Sequence, residues 1–192
     1  MSFLFDYASP FSYVASVLIE RGALGPVSYE PTYLRGLETF SQGVPYAGGK
    51  LAYLMQDLKR VSAHHQIPLV PPATFPVNGL YALRGALIAL EAGRSERFAE
   101  YHQRAFAAVW GEGRDLDSAD AVVALAVEVG FPPGEFRARM ADPAIKDELR
   151  RRTEGAAVRG VFGLPAFFVG EELFWGHDRM DYVVRALAAQ GV

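Results

Sequence analysis

One stretch near the N-terminus constrains this chain most: an aromatic strand that runs straight into a capped helix. Phe3-Leu4-Phe5 is short, apolar and rich in β-formers, which predicts a buried strand. Four residues on, Ser9-Pro10 supplies a side-chain oxygen at the N-cap and a proline at the first helical position. Tyr13, Val17 and Ile19 carry the helix to a stop at Gly22. Such a junction leaves backbone N–H groups and a partial positive charge at the helix start, a setting suited to an anion, with Ser9 upon it.

The rest of the chain is read outward from that junction. Val27 to Tyr33 predicts a second strand, and Pro31 places it at a sheet edge. Gly36 to Gly49 reads as an irregular loop, and Leu51, Leu54, Leu58 and Val61 as a helix ending near Gln66. Four prolines between Pro68 and Pro76 mark a linker-like stretch. Apolar stripes then predict a helical block: Leu80, Leu83, Leu87 and Leu90; Phe98, Tyr101, Ala105, Phe106 and Val109; and Val122 to Val129, capped by Asp117 or Ser118. A short helical pattern follows at Phe136 and Met140, and a longer one from Ile145 to Ala157. Ala166 to Val169 and Leu173 to Trp175 form a predicted hairpin, and His177 or Asp178 a cap for the last helix.

Composition narrows the class. Of the 192 residues 51% are hydrophobic, enough for a substantial core, and the net charge of −3 argues against non-specific nucleic-acid binding. The basic run Arg150-Arg151-Arg152 is flanked by Asp147, Glu148 and Glu154 and reads as a solvated helix face. No signal peptide is visible, and no apolar run reaches the roughly 20 residues that span a bilayer, so a soluble cytoplasmic protein without membrane partners is expected. The chain contains no cysteine, which removes disulfides, thiolate metal sites and thiol chemistry of its own. His64 and His65 are helix neighbours facing different ways, so no metal site is expected.

The order βαβ, helical block, ββα resembles an α/β thioredoxin-like (DsbA-like) fold with an inserted all-helical subdomain. The division expected is 1–75 with 158–192 for the thioredoxin-like domain and 76–157 for the insertion. Where that fold carries its redox C-x-x-C, this chain has Ser9-Pro10-Phe11-Ser12, and Leu164-Pro165 stands where the fold has a proline before its third strand.

Finer motifs extend the likeness from end to end. Phe5-Asp6 with Ser9 to Tyr13, Tyr53 to Arg60, Val109-Trp110-Gly111-Glu112-Gly113, Val161 to Val169 and Phe174-Trp175-Gly176-His177-Asp178-Arg179 resemble the 2-hydroxychromene-2-carboxylate isomerases. That family is similar to the kappa-class glutathione transferases. The resemblance implies a dimeric, glutathione-dependent isomerase of aromatic-hydrocarbon catabolism, with Ser9 as the catalytic serine. It also implies a cis Leu164-Pro165 bond that offers the Leu164 backbone to glutathione like an added strand.

Two departures bear on the substrate: His177 stands where the family has Asn or Ser, and Gly48-Gly49-Lys50 replaces a richer loop.

Each residue also has a plainer reading. Ser9 as a simple N-cap contributes about 1 kcal/mol of helix stability. In the functional reading its hydroxyl and the helix N-terminus hold the glutathione thiol, whose ordinary pKa near 8.5 they would lower. Asp178 is either a cap or the acceptor of the γ-glutamyl ammonium, with His177 beside it. Lys59 is a helix-surface residue or an attractor of carboxylates, Lys50 a weaker candidate for the same role. Phe11, Tyr81 and Trp175 are expected to line an aromatic substrate pocket. The alternatives are a kappa-type transferase that conjugates rather than isomerises, and a non-catalytic DsbA-like binding module.

Overall fold

The computed structural model describes residues 1–91 and 95–191. Its sheet has the strands β1 (Ser2–Phe5), β2 (Ser28–Pro31), β3 (Ala166–Val169) and β4 (Glu172–Trp175), in the spatial order β2-β1-β3-β4. β1 and β2 are parallel, with Phe5 opposite Pro31, while β3 runs antiparallel to both β1 and β4. Pro31 lies on the edge strand, where a missing N–H costs no ladder bond.

The sheet is covered on both faces, which is why β1 is apolar without alternation. Phe3 and Phe5 join Phe167 in the larger core cluster, and Leu4 joins Ala166 and Phe168 in the smaller one. Successive residues therefore serve opposite faces, as the strand period requires. Phe3 and Phe167 are register partners whose rings stack with centroids 5.2 Å apart.

The strand directions bring four segments to one end of the sheet. These are the residues after β1, after β2 and after β4, and those before β3. That end carries the site.

Helix α1 (Pro10–Glu20) follows β1, and α2 (Gly48–His65) follows β2 after two 3-10 turns at Leu34–Gly36 and Glu38–Phe40. The loop expected over Gly36 to Gly49 is thus more ordered than its glycines suggest. Helix α2 begins at Gly48 with no side-chain cap at Ala47, so no local start signal was there to read. The helical block comprises α3 (Leu80–Glu91), α4 (Ser95–Phe106), α5 (Ala119–Glu128), α6 (Pro133–Ala141) and α7 (Pro143–Val158). Ser118 caps α5 by accepting the Ala121 N–H. Helix α4 continues into a π-helical turn, Ala107–Gly111, that carries the fully buried Trp110. One core cluster runs from Phe3, Phe5 and Phe167 through Trp110 and Leu83 to Phe136, so sheet and helical block share their packing.

The last helix, α8 (Met180–Ala189), corrects an expectation: neither His177 nor Asp178 caps it. Both lie in a 3-10 turn, His177–Arg179, which follows Gly176 at φ +104. Gly176 donates to Pro165 O and its own carbonyl accepts from Arg179 N–H. This tight turn uses up the residues before α8 and turns the Asp178 side chain to Arg179 instead. Among the described residues no helix is long and apolar enough to cross a membrane.

Candidate active site

The four segments at the sheet end line one cleft of about 330 Å³. In strand order they are Leu34-Arg35, Ala8-Ser9, Leu164-Pro165, and Trp175 to Arg179. Leu51, Leu54, Met55 and Leu58 of α2 and the Phe75–Val77 segment supply the remaining apolar walls. Leu51, Leu54, Met55 and Leu58 are spaced i, i+3, i+4 and i+7, one stripe of a helix.

Ser9 sits between β1 and α1, 4% exposed. Its Oγ accepts the Ser12 N–H at 3.1 Å as an N-cap. The same hydroxyl donates to the Leu164 carbonyl oxygen at 3.1 Å, and the Leu164-Pro165 bond is cis. Ser9 and the Leu164 backbone thus face each other in the cleft. Since a hydroxyl carries one proton, Ser9 gives to Leu164 O what it would give to a bound anion. Donating to a ligand requires that hydroxyl to turn away from Leu164.

The loop before Ser9 is bolted from three sides. Asp6, fully buried, accepts Ala8 N–H at 2.9 Å with one oxygen and Leu34 N–H at 2.7 Å with the other. Trp110 donates its indole N–H to Tyr7 O at 2.9 Å, and Ser9 N–H donates to Asp6 O. Burial pushes the Asp6 carboxyl up to about 6, against the two N–H groups and the Arg35 charge, which lower it. A Cβ at Gly79 would collide with that carboxylate, so glycine is the residue that fits there.

Below the loop runs a polar chain through an aromatic core. Tyr7 OH lies 3.1 Å from His102 Nδ1, His102 Nε2 lies 2.9 Å from Ser16 Oγ, and Ser16 donates to Glu20. With the Ser16 proton committed to Glu20, His102 must donate from Nε2 and accept from Tyr7 at Nδ1. Burial holds its pKa down at about 3, so the ring is neutral.

The expected site residues divide. Ser9, Phe11, Leu164, Pro165, Trp175, His177 and Asp178 all line the cleft. Phe11 stacks on His177 with centroids 5.0 Å apart and planes within 7°. Burial lowers the His177 pKa against the raising effects of Asp178 and Asp57, so its imidazole is presented neutral. Trp175 is half exposed at the rim, against Phe162.

Two expectations are corrected. Lys59 does not line the cleft; it follows the cleft-lining Leu58 by one residue, about 100° further round the helix, on a shallow outer face with Tyr53 and Gln56. Lys50 lines the cleft instead, its ammonium 4.6 Å above the Tyr46 ring. Tyr81 is also outside, packed on the core from α3 with Arg84 one turn further along. Arg35, Phe40, Tyr46 and the Phe75–Val77 segment line the cleft without having been expected there. They come from irregular turns, which show no period to read.

Chemically, the cleft offers an apolar volume, a polarised hydroxyl, a helix N-terminus and charges at its rim. It holds no soft nucleophile, for the chain has no cysteine.

Comparison with known proteins agrees with this layout. The model of the DSBA-like thioredoxin domain matches residues 1–188. A 2-hydroxychromene-2-carboxylate isomerase of Sphingobium xenophagum is 30% identical over 192 residues, covering 95% of each chain. Human glutathione S-transferase kappa 1 is 26% identical over 95% of this chain and 88% of its own. A solved structure of 2-hydroxychromene-2-carboxylate isomerase superposes with a TM-score of 0.83 at 30% identity, covering 98% of this chain and 94% of that one. The fold is therefore α/β, thioredoxin-like of the DsbA type with a helical insertion.

Proposed function

This chain belongs to the 2-hydroxychromene-2-carboxylate isomerase family, within the DSBA-like thioredoxin domains, and from that premise we propose that it is a glutathione-dependent isomerase. Its substrate would be 2-hydroxychromene-2-carboxylate or a related intermediate of aromatic degradation. The observation that carries the reading is the Ser9 hydroxyl, 3.1 Å from the Leu164 carbonyl, in an apolar cleft without a nucleophile of its own.

The residues fit glutathione. The Leu164-Pro165 backbone offers an edge for the cysteinyl part to pair with, and the exposed Asp178 carboxylate at the far end suits an ammonium. When bound, glutathione supplies a nucleophilic sulfur whose reversible addition to the substrate's double bond permits rotation about it.

The chain's own part is electrostatic. Ser12 N–H, bonded to Ser9 Oγ, polarises the hydroxyl and makes it a better donor. Turned from Leu164 O, that hydroxyl places its proton at a thiolate, with the N-terminus of α1 adding positive potential. Phe11, Trp175 and the α2 stripe keep water from an aromatic substrate.

A second reading, conjugation by a kappa-type transferase, is favoured by the 26% identity to the human enzyme. One experiment separates them: incubate the protein with substrate and glutathione and analyse the products. An isomer with glutathione recovered unchanged supports the proposal. A glutathione adduct favours the transferase, and no reaction with either leaves the proposal without support.

A further inference from the structure

We propose that Arg35 is the specificity-determining residue of the cleft, taking the carboxylate of an anionic aromatic substrate on the side away from Asp178. This rests on the function proposed above.

Strand order is the first support. Neighbouring strands lie about 4.8 Å apart, so the segments after β2 and β4 stand roughly 14 Å apart, with Ser9 and Leu164 between them. A peptide cofactor anchored at Leu164 and reaching Asp178 occupies the β3–β4 half. The β2 half, where Arg35 stands, is left for the acceptor.

Charge is the second. Two other cations line the cleft with Arg35, namely Lys50 and Arg179. Arg179 is committed to Asp178 at 2.7 Å, and Lys50 is exposed over Tyr46. Arg35 is partly buried and, among the described residues, makes no ion pair. It donates one long bond, 3.3 Å, to Pro76 O. A guanidinium has five N–H donors, so a fork remains for a carboxylate.

Asp6 feels the Arg35 charge but makes no salt bridge with it among the described residues; its two oxygens take the N–H groups of Ala8 and Leu34. Those two amides directly precede Ser9 and Arg35. One buried carboxylate therefore sets where the cation stands relative to the hydroxyl.

The test compares an acid with its ester. For the full-length protein with glutathione, kcat/KM is measured for 2-hydroxychromene-2-carboxylate and for the methyl ester, in wild type, Arg35→Met, Arg35→Lys and Lys50→Met. Arg35→Met should lower the acid-to-ester ratio about tenfold to a hundredfold, through KM for the acid, as expected for a lost charge-assisted bond. Arg35→Lys should restore most of the ratio, and Lys50→Met should change it less than about threefold. If Arg35→Met does not fold, Arg35→Gln, which keeps a donor for Pro76 O, carries the same test.

An unchanged ratio in Arg35→Met overturns the proposal. So does a ratio that falls instead in Lys50→Met, or weakened glutathione binding in Arg35→Met, which would assign the guanidinium to the cofactor. Should the wild type turn over neither compound, the proposed function fails by itself. Calorimetry of cinnamate against cinnamide on the glutathione-loaded protein then decides Arg35: cinnamate binding lost in Arg35→Met sustains its role, and equal binding by both proteins removes it.

Discussion

Ser9 donates its hydroxyl proton to the carbonyl oxygen of Leu164, 155 positions along the chain, at 3.1 Å. This bond joins the loop after β1 to the segment before β3 and sets the hydroxyl beside the cis Leu164-Pro165 backbone. It also means that the serine is both a cap and a tether.

Ser9→Ala removes both roles at once. The lost cap and the lost tether should together cost about 1–2 kcal/mol in urea unfolding. If the hydroxyl also stabilises a bound thiolate, the thiolate absorbance of the glutathione complex at neutral pH should drop, with a rate loss of about tenfold to a hundredfold. Ser9→Thr, which keeps the hydroxyl, should recover both signals. Full activity in Ser9→Ala would reduce Ser9 to a structural residue.

Asp178→Ala isolates binding from folding. Because Asp178 does not cap α8, and its pair with Arg179 is exposed, the substitution should change stability by less than about 1 kcal/mol. Glutathione at 100 times its Kd should stabilise the wild type by about 2.7 kcal/mol. In Asp178→Ala the same glutathione concentration should give a much smaller shift in Tm. An equal shift would take Asp178 out of the cofactor site.

Asp6 leaves a signature in the pH dependence of stability. Its folded pKa, about 6, lies above the ordinary 3.8 because burial disfavours the carboxylate. The stability it contributes is fully present below 3.8 and is lost as pH rises through 6, a span on the order of 2–3 kcal/mol. Asp6→Asn lacks this titration and sets an amide donor against the Ala8 or Leu34 N–H. The stability gap between wild type and Asp6→Asn should therefore widen from pH 7 to pH 4. A gap independent of pH would show that Asp6 does not titrate in this range.

His102 acts in the opposite direction over nearly the same window. Its folded pKa, about 3, is depressed below 6.5, so its contribution is present above pH 6.5 and lost as pH falls through 3. The full span is on the order of 4–5 kcal/mol. His102→Phe should cost about 1–3 kcal/mol at pH 7, since Tyr7 OH loses a buried partner. It should also flatten the acid limb of urea midpoints between pH 6.5 and 4. A limb of unchanged slope would place the acid sensitivity elsewhere.

The sequence by itself determined what depends on neighbours a few residues apart. The buried run Phe3-Leu4-Phe5, the Ser9 cap with Pro10, the stop at Gly22, the Ser118 cap and the hairpin after Pro165 are all local events. Each follows from side-chain shape, one hydrogen bond or one dihedral, and together with the motifs they reveal the fold and most of the cleft floor.

Only the tertiary structure decided which residues share the cleft walls. Along the chain Lys50 is the weaker candidate of the two lysines, yet the rotation of α2 against the sheet admits Lys50 to the cleft and turns Lys59 away. Asp178 looks like a cap until Gly176, bonded to Pro165, folds it into a 3-10 turn. Arg35 and Asp6 gave no periodic signal; the order β2-β1-β3-β4 sets the two loops side by side and buries a carboxylate between them. Caps and periods act within a turn or two of chain, whereas a cleft wall is set by strand order and helix rotation, which join residues more than a hundred positions apart.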